Sequence, residues 1–448
     1  MPKSHPDVQD LPPGYRMTEL GPLPEEWRVV RLGEIYTIQQ GKALSSKHRS
    51  GQNPFPFLRT ANVLWGYVDL SNLDTMDFTE KERSKLRLQP GDLLICEGGE
   101  IGRTAIWEGQ LEDVFYQNHI FRVRAKTKKA HPHFHMYWMQ AAIKVLGLYR
   151  GRGNKTTIPN LSKRRLAEFP IPLPPLSEQR AIAHVLRAVQ EAREATERVI
   201  AALRDLKRSL MRHLFTYGPV PVDQADQVAL QDTPIGPLPA HWRVVRLGEV
   251  GKIVTGKTPS TSNTKYWGGS IPFITPSDLD GKEIYRAERT ITTEGLAHTK
   301  PVPRGAVLVS CIGYIGKIGV VGSRIAATNQ QINAIIPNET KIKRWFLAYA
   351  LDLDQVQQVM DKLTRKTTVP ILNKSNFSKV WLPLPPLDEQ REIARILQTV
   401  DRKIEAEEAR KEALEGLFKS LLHHLMTAKI RLPKAFVDQF GENKEVLE

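Results

Sequence analysis

Three stretches of the chain carry residue types that do chemistry elsewhere, and in each the surroundings decide the reading. Gly251-Lys-Ile-Val-Thr-Gly256-Lys257-Thr258 satisfies the G-x-x-x-x-G-K-[ST] pattern of a phosphate-binding loop. Such a loop follows a strand and opens a helix whose N-terminus holds the phosphates. Here Pro259 and Ser260 follow at once, then a Ser/Thr/Asn-rich segment without helical periodicity. The pattern therefore reads as a tight glycine turn presenting a lysine and hydroxyls. His131, His133 and His135 alternate in His-Pro-His-Phe-His, which is possible metal-ligand chemistry. No cysteine or carboxylate cluster accompanies them, and Pro132 marks a helix start instead. Asp280-Gly-Lys282 is half of a D-x-K nuclease site, a tripeptide common by chance. The chain has neither an Asp-Pro-Pro-Tyr nor an Asn-Pro-Pro-Tyr loop for methylating a base amino group, and no Gly-rich cofactor loop ahead of one. No catalytic apparatus, metal site or cofactor of its own is expected.

Residues suited to binding are more plentiful. The loops of the first half hold Lys42, Ser45, Lys47, Arg49, Arg59 and Asn62; those of the second hold Lys257, Thr258, Ser260, Lys265 and Thr275. Late in each half comes a basic cluster, with Arg152, Asn154, Lys155 and Thr156 in one and Arg365, Lys366 and Thr367 in the other. Arg and Lys pair with guanine or neutralise phosphate, and Asn or Gln reads adenine. The formal net charge of +15 and a pI near 9.6 come from Lys and Arg spread along the chain, as on folded surfaces that face a polyanion. Gln117-Asn118-His119 and Asn329-Gln330-Gln331 recur 212 residues apart and read equally as framework amides or as base readers.

These residues hang on a duplicated frame. Leu20-Gly-Pro-Leu-Pro-Glu-Glu-Trp27-Arg-Val-Val-Arg-Leu-Gly-Glu34 returns as Ile235-Gly-Pro-Leu-Pro-Ala-His-Trp242-Arg-Val-Val-Arg-Leu-Gly-Glu249. Pro172-Leu-Pro-Pro-Leu-Ser-Glu-Gln-Arg180 returns as Pro383-Leu-Pro-Pro-Leu-Asp-Glu-Gln-Arg391. Between these opening and closing motifs lie short alternating segments with turn residues, predicting a mostly β module in each half. Helices are predicted near His133–Leu148 and Lys343–Met360. Cys96 and Cys311 occupy nearly equivalent places in apolar runs that read as buried strands, consistent with free thiols in a reducing compartment. The N-terminus has no apolar signal region, and no apolar run approaches the roughly 20 residues needed to span a bilayer. A cytoplasmic protein without membrane contact is expected.

After each closing motif the pattern changes. From about Ser177 to Phe215 and from Asp388 to Thr427 there is no proline and almost no glycine. Ile182, Val185, Val189, Ala192, Thr196, Val199, Leu203, Leu206 and Leu210 follow a 3-4 spacing that predicts a heptad seam. The second stretch continues with Ile393, Ile396, Val400, Ile404, Leu414, Leu417 and Leu421, interrupted at Glu407 and Arg410. Each helix of roughly 40 residues is about 60 Å long. A narrow apolar seam needs a partner, and the simplest is the other helix. The predicted fold class is α+β: two globular mostly-β domains related by pseudo-two-fold symmetry, separated by two long antiparallel coiled-coil helices. The segments are an N-terminal arm 1–19, modules 20–170 and 235–381, closing segments with long helices 171–217 and 382–428, a linker 218–234 and a tail 429–448.

The paired opening motifs, the Gly-Lys-Thr-Pro-Ser loop and the paired closing motifs ahead of long helices resemble the specificity (S) subunits of type I restriction–modification enzymes, from about Leu20 to Thr427. The resemblance implies two target recognition domains, each reading one half of a bipartite double-stranded DNA site. It implies that the helices fix the spacer and dock two methyltransferase (M) subunits, which use S-adenosylmethionine on adenine, and that the complex recruits ATP-dependent restriction (R) subunits. Because the halves differ in most loop residues, the target is expected to be asymmetric. Two other classes are weighed against this one. A self-sufficient methylating or cutting enzyme lacks its loops here, and a coiled-coil scaffold leaves two diverged basic modules unexplained.

Overall fold

The computed structural model describes residues 11–45, 51–148, 161–365 and 368–441. The chain divides into two compact units, residues 1–197 with 410–448 and residues 198–409. Each long helix, Leu176–Tyr217 and Leu387–Met426, thus gives part of its length to each unit.

In the first unit a hairpin of Tyr15–Thr18 with Gly21–Pro24 leads into the opening strand Arg28–Arg31. The main sheet is antiparallel, in the order Tyr36–Gln40, Ile120–Ala125, Asp92–Cys96, Thr104–Trp107. A smaller sheet joins Asp74–Asp77, Pro54–Leu58 and Phe115–Tyr116. The apolar run in Asp92–Cys96 is explained by burial on both faces. Leu93 and Ile95 pack with Phe121, Phe134 and Trp138, while Leu94 and Cys96 pack with Phe57, Trp107 and Tyr116. The expected helix starts at Pro132, runs to Gln140 and continues to Val145 as a π-helical segment.

The second unit repeats this plan with its own variations. Its five-stranded sheet runs Gly251–Thr255, Ile332–Pro337, Val307–Ser310, Ile318–Val321, Glu283–Ile284, and a four-stranded sheet joins Arg289–Ile291, Trp267–Ile274, Ile325–Thr328 and Val302–Pro303. The expected helix is two, Arg344–Asp352 and Asp354–Leu363, broken at Leu353. The two cysteines do not face equivalent cores. Cys311 belongs with Val307 and Val309, the face opposite that of Leu308, whereas Cys96 lies on the Leu94 face of its strand. A one-residue offset in a strand exchanges faces. Burial pushes the Cys96 thiol up to about 11 and the Cys311 thiol to about 12.

The duplicated motifs meet each other. Arg28–Arg31 pairs antiparallel with Pro170–Leu173, and Arg243–Arg246 with Trp381–Leu384. Two-stranded ladders have free edges, where prolines lacking N–H are tolerated. The indole N–H of Trp27 donates to Glu178 Oε2 at 2.9 Å, and that of Trp242 to Glu389 Oε2 at 2.9 Å. Gln179 and Gln390 are fully buried. Gln179 accepts from His131 N (2.9 Å) and donates to Lys129 O (2.9 Å) and Pro174 O (2.8 Å). Gln390 repeats this with Lys343 N, Lys341 O and Pro385 O. Glu34 and Glu249 accept from Arg31 N and Arg246 N, capping a one-turn helix. Gly33 and Gly248 leave room for the backbone of Ala167 and Ser378, which a Cβ would meet at 3.2 and 3.3 Å.

Within each unit the long helices pack antiparallel. In the first, Ile182, Ala183 and Leu186 share a core with Leu422, Leu425 and Met426, and Lys411 pairs with Glu197 (3.0 Å). In the second, Leu214 and Phe215 share a core with Ile393 and Leu397. Arg204 pairs with Glu408 (2.7 Å) and Lys207 with Asp401 (2.7 Å). The seam differs from the heptad expectation: Val199, Leu206 and Leu417 are exposed, and Leu186, Ile200 and Leu397 are buried instead. A helix at 3.6 residues per turn drifts away from a 3.5-residue repeat, which accounts for the shift. Glu407, at an expected apolar position, is buried with Lys403 at 2.8 Å.

Replacing Gln179 by leucine strips three backbone groups of their partner and is expected to cost on the order of 3 kcal/mol. Amide hydrogen exchange on the full chain should lose protection around residues 129–135 and 174–179 while the second unit is unchanged. Gln390→Leu should do the reverse.

Candidate nucleic-acid interface

In both units some of the described loops that hold predicted binding residues meet around the recurring amide turn. In the second unit Lys257 N donates to Thr328 O (2.9 Å), Asn329 N to Ile274 O (3.3 Å), and Cys311 N to Gln331 O (2.7 Å). Gly313 N then donates to Pro370 O (3.0 Å), and Arg365 N to Ile371 O (3.0 Å). These bonds bring Lys257, Thr258, Thr275 and Arg365 onto one surface with Gln330, Tyr314 and Lys317. Lys257, Lys317, Arg365 and Gln330 are exposed. Thr258 Oγ1 donates to Gln330 Oε1 (2.7 Å), which aims that amide. Asn329 Nδ2 donates to Gln331 Oε1 (2.9 Å), so these two amides support the turn. Gly256 is needed for close approach, since a Cβ would meet Asn329 O at 2.1 Å. Thr275 caps a turn through Asp278 Oδ2 (2.8 Å) and touches Ser277.

Ser260 and Lys265 stand on the next loop, beside the smaller sheet. Ser260 Oγ lies 2.8 Å from Ser262 Oγ, and its carbonyl accepts from the Trp267 indole (3.1 Å). The Arg289 guanidinium stacks on Trp267, 3.9 Å from the ring centroid. Lys265 is exposed.

The first unit builds the same place from different chemistry. Lys42 N donates to Tyr116 O (3.1 Å) and Gln117 N to Leu58 O (3.0 Å), the counterparts of bonds in the second unit. A Cβ on Gly41 would meet Gln117 O at 2.3 Å. Lys42, however, is only 9% exposed, its ammonium held by Asp77 O (2.7 Å) and Glu82 (2.8 Å) above the Phe78 ring. Burial raises the Glu82 carboxyl, but hydrogen bonds from Lys42 and Thr79 outweigh it and hold the group below its ordinary value. Asn62 is buried; it accepts from Arg59 N (2.9 Å) and donates to Asp69 O and Asn72 O (3.0 Å each). Arg59 lies 3.4 Å from Asp74, and Ser45 is half-buried. His119 pairs with Glu97 at 3.1 Å. Lys47, Arg49, Arg152, Asn154, Lys155, Thr156, Lys366 and Thr367 lie outside the described residues.

The profile of the type I restriction modification DNA specificity domain matches residues 24–204 and again 239–416. The chain belongs to that family. A putative type I restriction enzyme MjaX specificity subunit of Methanocaldococcus jannaschii is 26% identical over 93% of this chain and 97% of that one. The type I restriction enzyme EcoBI specificity subunit of Escherichia coli is 24% identical over 83% and 78%. The S subunit of a type I system from M. genitalium has the same fold, with a TM-score of 0.58 at 16% identity over 89% of this chain and 96% of that one. A chain from a type I system, solved in work on complex assembly and conformational transition, gives 0.54 at 22% identity over 91% and 99%.

Set in the specificity-subunit fold, the three stretches with apparent chemistry have structural duties. The phosphate-loop pattern is a strand, Gly251–Thr255, followed by the turn at Gly256, with no helix after it. Lys282 of the D-x-K tripeptide reaches Glu408 (3.2 Å) and Glu405 (3.9 Å) of the second long helix within its own unit. His133 lies 2.9 Å from Glu108. His135 is fully buried, with Nε2 3.2 Å from Pro172 O and Nδ1 2.8 Å from the Tyr36 hydroxyl. A carbonyl only accepts, so Nε2 carries the proton and the tyrosine donates to Nδ1. Among the described residues no group of three or more His, Cys, Asp or Glu could hold a metal ion, and no helix there is long and apolar enough to cross a membrane.

Burial pulls His135 down to about 4 from 6.5. The unfolded chain therefore binds more protons between these values, and stability falls as pH drops through them. Between pH 7 and pH 5 the loss is expected to be about 2 kcal/mol. Denaturant unfolding at the two pH values should show that loss, reduced in a Tyr36→Phe/His135→Leu double variant that has no imidazole to charge.

Proposed function

We propose that the chain is the DNA-specificity subunit of a type I restriction–modification complex, with no catalysis of its own. Each module reads one half of an asymmetric bipartite site. The observation that carries this is the repeated family domain: the frame is the same twice, but the residues at the sheet end differ. Lys257, Thr258, Gln330 and Arg365 form the reading surface of the second module, with Ser260 and Lys265 on its flank. In the first module Lys42, Arg59 and Asn62 hold the turns of the corresponding surface, and Ser45 adjoins it. By their chemistry Lys47, Arg49, Arg152 and Lys155 offer cations to the first half-site, with Asn154 and Thr156 as polar contacts, while Lys366 offers a cation and Thr367 a hydroxyl to the second.

The two long helices set the spacer between half-sites and dock two methyltransferase subunits, to which exposed Val199, Leu206 and Leu417 offer apolar contacts. Restriction subunits join through that complex. The protein works in the cytoplasm, on double-stranded DNA.

Methylated adenines mapped across the genome of a methylation-free host test the reading. An asymmetric bipartite motif should appear when the methyltransferase subunit is expressed with this chain and not when it is expressed alone. Replacing the sheet-end loops of one module should alter one half-site only. No motif from a folded, assembled complex defeats the proposal. On purified complex, Lys257→Met and Arg365→Met should each reduce the slope of log affinity against log salt by about one. Lys42→Met should leave the slope unchanged and lower the stability of the first module.

A further inference from the structure

Between Lys257 and Lys317 of the second sheet end the chain forms a tight knuckle. Gly313-Tyr314-Ile315-Gly316 turns tightly, with both glycines in the left-handed region, at φ +78° and +91°. Side chains rarely adopt that conformation, so glycine is required at both places. The first module has the same knuckle 214 residues earlier, Gly99-Glu100-Ile101-Gly102, with glycines at φ +75° and +71°. The tips differ: Tyr314 in one, Glu100 in the other.

The knuckle of Tyr314 is firmly rooted. Gly316 N donates to Ser310 O (3.0 Å), Ser310 N to Lys317 O (2.9 Å), and Lys317 N to Ser310 Oγ (2.9 Å). The side chain of Gln357 donates to Gly316 O (3.0 Å), and Gly313 N to Pro370 O (3.0 Å). Yet the ring at its tip is 72% exposed, the most exposed aromatic among the described residues. A scaffold does not need an aromatic there, because the first module folds the same turn around a glutamate. That glutamate is engaged locally, with the Trp65 indole donating to it at 2.6 Å and Lys144 at 3.7 Å. Beside Tyr314 stands a cation rather than a partner for its hydroxyl that holds it down. Lys317 Nζ lies 5.7 Å from the ring centroid, and Arg365 and the exposed Ile371 adjoin through backbone hydrogen bonds.

A water-exposed phenol on a firmly rooted turn, with Lys317 beside it, suits a polyanion that also presents apolar and hydrogen-bonding edges. DNA bases do both, through the thymine methyl and the acceptors of the major groove. We propose that Tyr314 contacts a base of the half-site read by the second module, and that the knuckle tip is a position at which the two modules differ in what they read. This rests on the sheet-end reading given above.

The test uses the chain assembled with its methyltransferase subunits and duplexes in which each base pair of the mapped site is changed singly. Tyr314→Ala should weaken binding of the cognate duplex about tenfold and flatten discrimination at one or two adjacent pairs of the second half-site. The first half-site profile and the salt slope should be unchanged. Tyr314→Phe separates ring from hydroxyl: retained discrimination assigns the contact to the ring, lost discrimination to the phenol, and either supports a base contact. Unaltered discrimination in Tyr314→Ala, with Lys257→Met and Arg365→Met still weakening binding, overturns the knuckle proposal and leaves the sheet-end reading standing. A uniform loss with a lower salt slope also overturns it, since that marks a phosphate-side effect. If none of the three variants changes binding, the sheet end itself is misassigned.

Discussion

A tryptophan donating its indole N–H to a glutamate in the first turn of a long helix holds each half of this protein together. The bond joins the start of a module to its end, across 151 residues in one half and 147 in the other. A buried carboxylate tolerates low dielectric only when it is well partnered. Glu178 is nearly fully buried and takes Trp27 together with Arg431, whose guanidinium approaches at 2.8 Å. Glu389 takes Trp242 and His241. Beside each glutamate a buried glutamine satisfies three backbone groups at once. The closing motif is therefore a set of hydrogen-bond obligations, and the long helix can leave a module only at the angle that meets them.

That clasp frees the far end of each sheet to vary. The proposed reading surfaces sit on loops whose backbones are tied by hydrogen bonds and by close-approach glycines, so side chains can change without moving the frame. The halves exploit this differently. At the sheet end of the second, Lys257, Lys317 and Arg365 stand exposed, while in the first Lys42, Arg59 and His119 are matched with Glu82, Asp74 and Glu97. Two modules on one frame with different surface chemistry are what an asymmetric target requires.

Much of the frame was legible in the chain. The recurrence of Trp-Arg-Val-Val-Arg-Leu-Gly-Glu marks the clasp because every residue of it has a partner, and the long proline-free stretches are helices to within two residues of the expected ends. The seam was harder. Val199 and Leu206 fit a heptad yet face solvent, since helix drift moves the buried stripe to Ile200. At the sheet ends, Asn62 and Lys42 look like ligands for DNA, but Asn62 serves backbone carbonyls and Lys42 a carbonyl and a glutamate. Tyr314 is not legible as a surface residue, because one tyrosine in an apolar run carries no sign of its exposure. The two flanking glycines, matched by Gly99 and Gly102, were the available signal.

What the sequence by itself determined is the duplication, the class of each element and the absence of known catalytic loops, because these depend on local pattern and repetition. Which polar side chains turn inward was decided only by tertiary structure. Lysine, asparagine and threonine offer the same donors and acceptors to a protein carbonyl as to a base edge. The choice between them depends on neighbours brought from tens of residues away, as Asp77 and Glu82 are brought to Lys42 and Pro370 to the knuckle of Tyr314.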